Sequence, residues 1–230
     1  MLNRLMIGLS AAALPFAASA QPPLYVDFTN RLTAAEPPPS GGEIAPRALE
    51  ALKARARAAG GCVPTAVALD PIQSATLNGM VLPRLAARQI RNGWTVTGRP
   101  QGCGGMLPGR FLILRQPDAT LDLQFVSAGE GISLVPPDAF VGAGGIAFAA
   151  LSARKRGCKV DKMRFESTRI VSRSDDLGPD FHGLRFSGSW KEGWTFSGCG
   201  SRAEVIVGFT TSSEGDGTWR IDDEKTRLID

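Results

Sequence analysis

The sequence predicts an α+β protein of two tandem helix-plus-antiparallel-sheet units, each closed by one disulfide. Three observations carry this. The four cysteines fall into two pairs of equal separation, Cys62 to Cys103 and Cys158 to Cys199, 41 residues each (103−62; 199−158). Gly93-Trp94-Thr95-Val96-Thr97 before Gly102-Cys103-Gly104 is matched by Gly193-Trp194-Thr195-Phe196-Ser197 before Gly198-Cys199-Gly200. The match requires Gly98-Arg99-Pro100-Gln101 to be a four-residue insertion in the first copy. Each first cysteine also follows an Ala-rich, basic segment ending in glycine. Self-similarity of this kind predicts one structural unit used twice. Four cysteines allow three pairings; the repeat selects Cys62–Cys103 and Cys158–Cys199.

Residues 1–20 have the grammar of a secretory signal: Arg4, an apolar run from Leu5 to Phe16, and the small-x-small site Ala18-Ser19-Ala20. The apolar run is shorter than the ~20 residues that span a bilayer. Export places the thiols where disulfides persist, so the expected location is periplasmic or secreted, with no transmembrane segment after signal removal. Removing Arg4 lowers the net charge from +4 to about +3, too weak a basic bias to imply nucleic acid.

The mature chain divides into an N-terminal segment and Pro-rich linker (21–45), a first repeat (46–135) and a second (136–230). Leu24 to Phe28 alternates apolar and polar residues and is expected to form a short strand. Glu36-Pro37-Pro38-Pro39-Ser40-Gly41-Gly42 reads as linker. A helix is expected from the first-turn proline Pro46 to the Gly60-Gly61 stop. Asn78-Gly79 suits a two-residue hairpin turn. Leu82 to Ile90 fits either helix or strand. Arg110–Arg115 and Leu121–Val126 are expected strands joined through Gln116-Pro117-Asp118. Val135-Pro136-Pro137 marks the unit boundary.

In the second copy Phe140–Arg156 is helical by composition. Val160–Val171, Leu184–Trp190, Val205–Phe209 and Thr218–Ile221 are expected strands, and the tail from Asp222 is expected to fray. The segment Trp194…Cys199-Gly200…Val205-Ile206-Val207-Gly208-Phe209 resembles one found in uncharacterised small exported proteins of proteobacteria, over residues 190–215. The first copy has Leu112-Ile113-Leu114 in place of the valine strand. The resemblance supports the fold and implies no activity.

Catalytic grammar is sparse. There is no Cys-x-x-Cys, and the matched spacing favours structural bridges over redox chemistry. His182 is the single histidine; a Ser-His system would need a third group to orient it. Zinc ligand spacing is absent, so no metal and no cofactor are expected. Gly142-Ala143-Gly144-Gly145-Ile146-Ala147 fits a dinucleotide fingerprint, but Pro136-Pro137-Asp138 stands where the leading strand belongs; a flexible joint leading into a helix is expected instead. Trp94 and Trp194 are candidates to stack on a ligand or to anchor the two cores. Arg84, Arg88 and Arg91 form a candidate basic stripe for an anionic envelope polymer.

The leading expectation is a non-enzymatic exported protein that binds another envelope protein or an anionic polymer. The alternatives are a periplasmic hydrolase with dispersed carboxylates or a His182-centred site, and an inhibitor of a secreted enzyme. An enzyme should show a deep cleft joining His182 or several carboxylates. A binder should show a flat apolar or basic patch.

Overall fold

The structure is a computed structural model that describes residues 23–154, 157–215 and 217–229. The expected signal sequence lies outside them. The first unit consists of helix α2 (Gly41–Ala58), short strands β1 (Ala66–Leu69) and β2 (Gln73–Ser74), helix α3 (Leu82–Ala86), and strands β3 (Asn92–Gln101), β4 (Gly109–Arg115) and β5 (Leu121–Ala128). The second consists of α4 (Pro137–Arg154) and β6 (Arg164–Arg173), β7 (Ser189–Gly198), β8 (Ser201–Thr211) and β9 (Gly217–Ile229). Both sheets are antiparallel, ordered β1-β3-β4-β5, with β2 also on β3, and β6-β7-β8-β9. Cys62 is bonded to Cys103 and Cys158 to Cys199. Closing each loop stabilises by about 4 kcal/mol in the chain-entropy model.

The helices seat on the sheets in the same manner. Ile44, Ala48, Leu52 and Ala56 of α2 are buried at a spacing of four, as are Ala139, Ala143, Ala147 and Leu151 of α4. That spacing lays one stripe of each helix against a sheet. Trp94, Val96, Phe111 and Ile113 receive the α2 stripe. Trp194, Phe196, Ala203 and Val205 receive that of α4. Trp94 faces Ile113 across the β3–β4 ladder, and Trp194 faces Val205 across β7–β8. The expected insertion Gly98–Gln101 prolongs β3 past most of its pairing with β4. It pairs there with β1, Leu69 opposite Gly98 and Ala66 opposite Gln101.

Several local expectations are corrected. The segment expected as a strand at 24–28 is part of helix α1 (Pro23–Ala35). Tyr25, Thr29, Leu32 and Glu36 turn inward together, a helical period that a five-residue window does not reveal. Helix α2 starts at Gly41, inside the expected linker, because Ser40 and Glu43 form a reciprocal capping box. This offsets the cost of the two glycines and leaves Pro46 inside the helix. Asn78-Gly79 does not close a hairpin; it is the turn leading into α3, and the Asn78 side-chain oxygen accepts from Met80 N. Leu184 forms only an isolated bridge with Phe181, residues 185–188 belong to no strand, and β7 starts at Ser189. Gly188 has φ +85, and a Cβ there would lie 2.4 Å from Leu177 Cα. The tail does not fray: β9 runs to Ile229, with Leu228 opposite Ala203. Its last residues are held partly by charge, since Arg227 bonds the Glu204 carboxylate of β8, which Arg169 of β6 also bonds.

The glycine-rich stretch 142–147 lies in the interior of α4, so it is neither a phosphate turn nor a joint. A Cβ on Gly142 would lie 3.0 Å from Ile221 Cδ1. The small residues let the helix approach β9 closely.

Candidate functional site

The chain between β5 and α4 stitches the two units together. Gly129 forms a parallel bridge with Thr168 of β6. A Cβ on Gly129, where φ is +96, would lie 1.9 Å from the Thr168 carbonyl oxygen, so only glycine fits. Glu130 N donates to that oxygen, and Gly131 N donates to Thr168 Oγ1.

The strongest tie is the buried Glu192 of β7, whose carboxylate accepts five hydrogen bonds. Oε1 accepts from Ile132 N, Ser133 N and Trp190 Nε1 at 2.8, 2.8 and 2.9 Å. Oε2 accepts from Ser133 Oγ at 2.7 Å and Trp194 Nε1 at 3.0 Å. Strand alternation explains this convergence: Trp190, Glu192 and Trp194 project from one face. The counterpart before the first Gly-Trp is Asn92, also fully buried. Its side-chain oxygen accepts from Thr76 Oγ1 and Gly93 N, and its amide donates to the Glu36 carbonyl.

Between the units lies a cleft of about 170 Å³. One wall is aromatic: Trp190 stacks on Phe209 at 4.9 Å and 12°, with Trp219 beside them. Ile132, Leu134 and Pro136 of the connecting segment add apolar surface. The polar groups facing it include Arg110, Asp180 and Arg185. Arg110 Nη1 donates to the Gly131 and Ser133 carbonyls at 3.0 and 3.1 Å, and its Nε to Thr95 Oγ1 at 3.4 Å. Burial pushes its pKa below the usual guanidinium value, with Glu192 and Asp180 acting in the opposite direction. Arg185 donates to the Gly178 carbonyl and lies 5.9 Å from the Trp190 ring centre.

His182 sits at the other inter-unit seam. Its carbonyl accepts from Leu77 N, and its Nδ1 is 2.8 Å from Ser74 Oγ. Its φ of 53 is one that histidine tolerates better than most residues. The imidazole does not line the cleft. Burial lowers its pKa below the usual histidine value, and Asp180 partly opposes this. The unfolded chain therefore takes up a proton below about pH 6.5 that the folded chain resists. The stabilisation is full above that pH and is lost as pH falls through the lower folded value. Urea midpoints between pH 7 and pH 5 should fall more for wild type than for His182→Asn, which keeps a residue tolerant of positive φ. Equal slopes would contradict the assignment.

The candidate residues read from the sequence are dispersed. Trp94 and Trp194 are core residues, 1% and 0% exposed, and present no stacking surface. Arg91 is paired with Glu36, Arg88 is exposed at φ 56 after α3, and Arg84 lies on α3. None of the three lines the cleft. The surface found is a concavity and not the flat patch expected of a binder. Asp180 is the one carboxylate among its described lining residues. Sequence reasoning missed Arg110, Arg185, Trp190, Glu192 and Phe209 as site residues. The available signal was Trp190-x-Glu192-x-Trp194, a carboxylate flanked by indoles on one strand face.

No group of three or more His, Cys, Asp or Glu among the described residues could hold a metal. No helix among them is long and apolar enough to cross a membrane. Comparison with family models, with curated proteins and with solved structures returns no match.

Proposed function

We propose that the chain is an exported, non-enzymatic binding protein, made of a duplicated unit, that holds a small ligand in the cleft between its two copies. The observation that carries this is the cleft's composition: an aromatic wall together with two arginines, and among the described lining residues no nucleophile paired with a base. Concave, largely apolar sites with a few convergent polar groups are the usual form of a small-molecule site. The two disulfides and the signal grammar at residues 1–20 support an oxidising destination such as the periplasm. The matching helix, ladder and disulfide arrangement in each half supports duplication.

The test is recovery of the ligand. The full chain would be exported with its own leader, purified from the periplasmic fraction without denaturation, and its small molecules extracted. Thr218→Trp places bulk at the mouth from an exposed position. Wild type should release a compound that Thr218→Trp does not. No compound above the blank from either protein would refute the reading.

A second reading rests on one contact, Ser74 Oγ to His182 Nδ1, which could be a nucleophile and its base. Against it, Ser74 Oγ is also 2.9 Å from Thr76 Oγ1, no described carboxylate is hydrogen-bonded to the imidazole, and neither residue lines the cleft. Stoichiometric labelling of Ser74 by a fluorophosphonate would favour the hydrolase.

A further inference from the structure

We infer that the ligand of this cleft is a small monocarboxylate whose apolar body is about the size of a benzene ring. The inference rests on the cleft-binding reading and adds the chemistry of the occupant. It stands first on Arg110. A guanidinium carries five N–H donors. Three of those of Arg110 are directed at Thr95 Oγ1 and the carbonyls of Gly131 and Ser133. Nη2, with the other two, has no hydrogen-bond partner among the described residues, and no described carboxylate forms a salt bridge with Arg110. Nη2 is not among the fully buried side-chain atoms that lack a partner, so it stays open to solvent or to a ligand. The free edge of a fixed guanidinium is suited to a carboxylate.

Charge sets the valence. Arg110 and Arg185 face the cleft with Asp180, a formal balance of +1 among the described lining residues. Glu192 lies behind Ser133, and both its oxygens are saturated by five donors. One negative charge neutralises the described lining residues; among them a dianion would meet Asp180 uncompensated. Size sets the body. A cavity of 150 Å³ lined by apolar side chains holds benzene, and this one is about 170 Å³. The Trp190–Phe209 stack offers a flat apolar face to a ring or a short branched chain.

The test uses the mature full chain, with binding followed by calorimetry and tryptophan fluorescence. The probes are benzoate, hexanoate, benzamide, benzylamine and phenylphosphonate. Benzoate or hexanoate should bind at least tenfold tighter than benzamide, and the better of the two identifies an aryl or alkyl source. Arg185→Gln should weaken that binding about five- to tenfold, and Thr218→Trp should abolish it. Arg110→Lys should weaken it more strongly, but it also loosens the 131–133 segment; Arg185→Gln and Thr218→Trp decide if that variant does not fold. Benzamide binding within threefold of benzoate overturns the assignment, as does benzylamine or phenylphosphonate binding best. Acid binding indifferent to both Arg185→Gln and Thr218→Trp, or no binding of any probe at millimolar concentration, overturns it too. In each of these cases ligand recovery from wild type against Thr218→Trp still judges the cleft reading separately.

Discussion

Replacing Glu192 by alanine should cost about 4–5 kcal/mol. Losses of that size come from a short list of causes, a broken buried polar network among them. The change strands two backbone N–H groups, one hydroxyl and two indole N–H groups that now converge on one carboxylate. Each buried donor left unpaired costs about 1–3 kcal/mol, and relaxation recovers part of the sum. At roughly 2–4 °C per kcal/mol for a chain of this size, the melting midpoint should fall by about 10 °C or more. Glu192→Gln keeps one oxygen but turns an amide donor toward other donors, and should lose about 2 kcal/mol. Denaturant titration of both variants checks the ordering. A Glu192→Ala protein with an unchanged midpoint would mean that the five bonds do not hold the junction.

Trp194→Ala and Trp94→Ala should each cost about 3–5 kcal/mol, the usual cost of truncating a fully buried indole. The two are expected to differ in kind. Trp194 packs near Phe165 and Phe209 at ring separations of 6.0 and 6.2 Å and donates to Glu192. Trp94 lies under α2, with the Arg115 guanidinium 5.4 Å from its ring centre. Because Trp194 and Glu192 share a hydrogen bond, the double variant should lose less than the two single losses combined. Trp94→Ala and Glu192→Ala should combine additively. A soluble Trp194→Ala protein with wild-type melting would remove the indole from the core and return it to the surface.

What was legible in the chain follows from covalent spacing and periodicity. The cysteine pairs, the match between the two Gly-Trp segments and the β4–β5 hairpin were readable because each is set within a few dozen residues. The helix at 23–35 was not, because Tyr25 meets the second unit through Phe186, 6.0 Å away in ring centres. The length of β9 was not, because its polar residues pair with Glu204 of the adjacent strand β8 and with Lys191 of β7 one strand further. A polar composition without those partners reads as a loose end. The expected basic stripe scattered because Arg91 found Glu36 at the foot of α1.

The sequence by itself determined the class and the two disulfides, and it singled out Trp94 and Trp194 without deciding between a core and a stacking role. Burial of apolar faces and loop closure act through local pattern, and local pattern is written along the chain. Only the tertiary structure decided that the two units meet with a cleft between them. Arg110 and Arg185 face that cleft from strands and turns 75 positions apart (185−110), beside an aromatic pair from two further strands. The physical reason is that a concave site is made by the packing of surfaces, and no one segment contains enough of either surface to announce it.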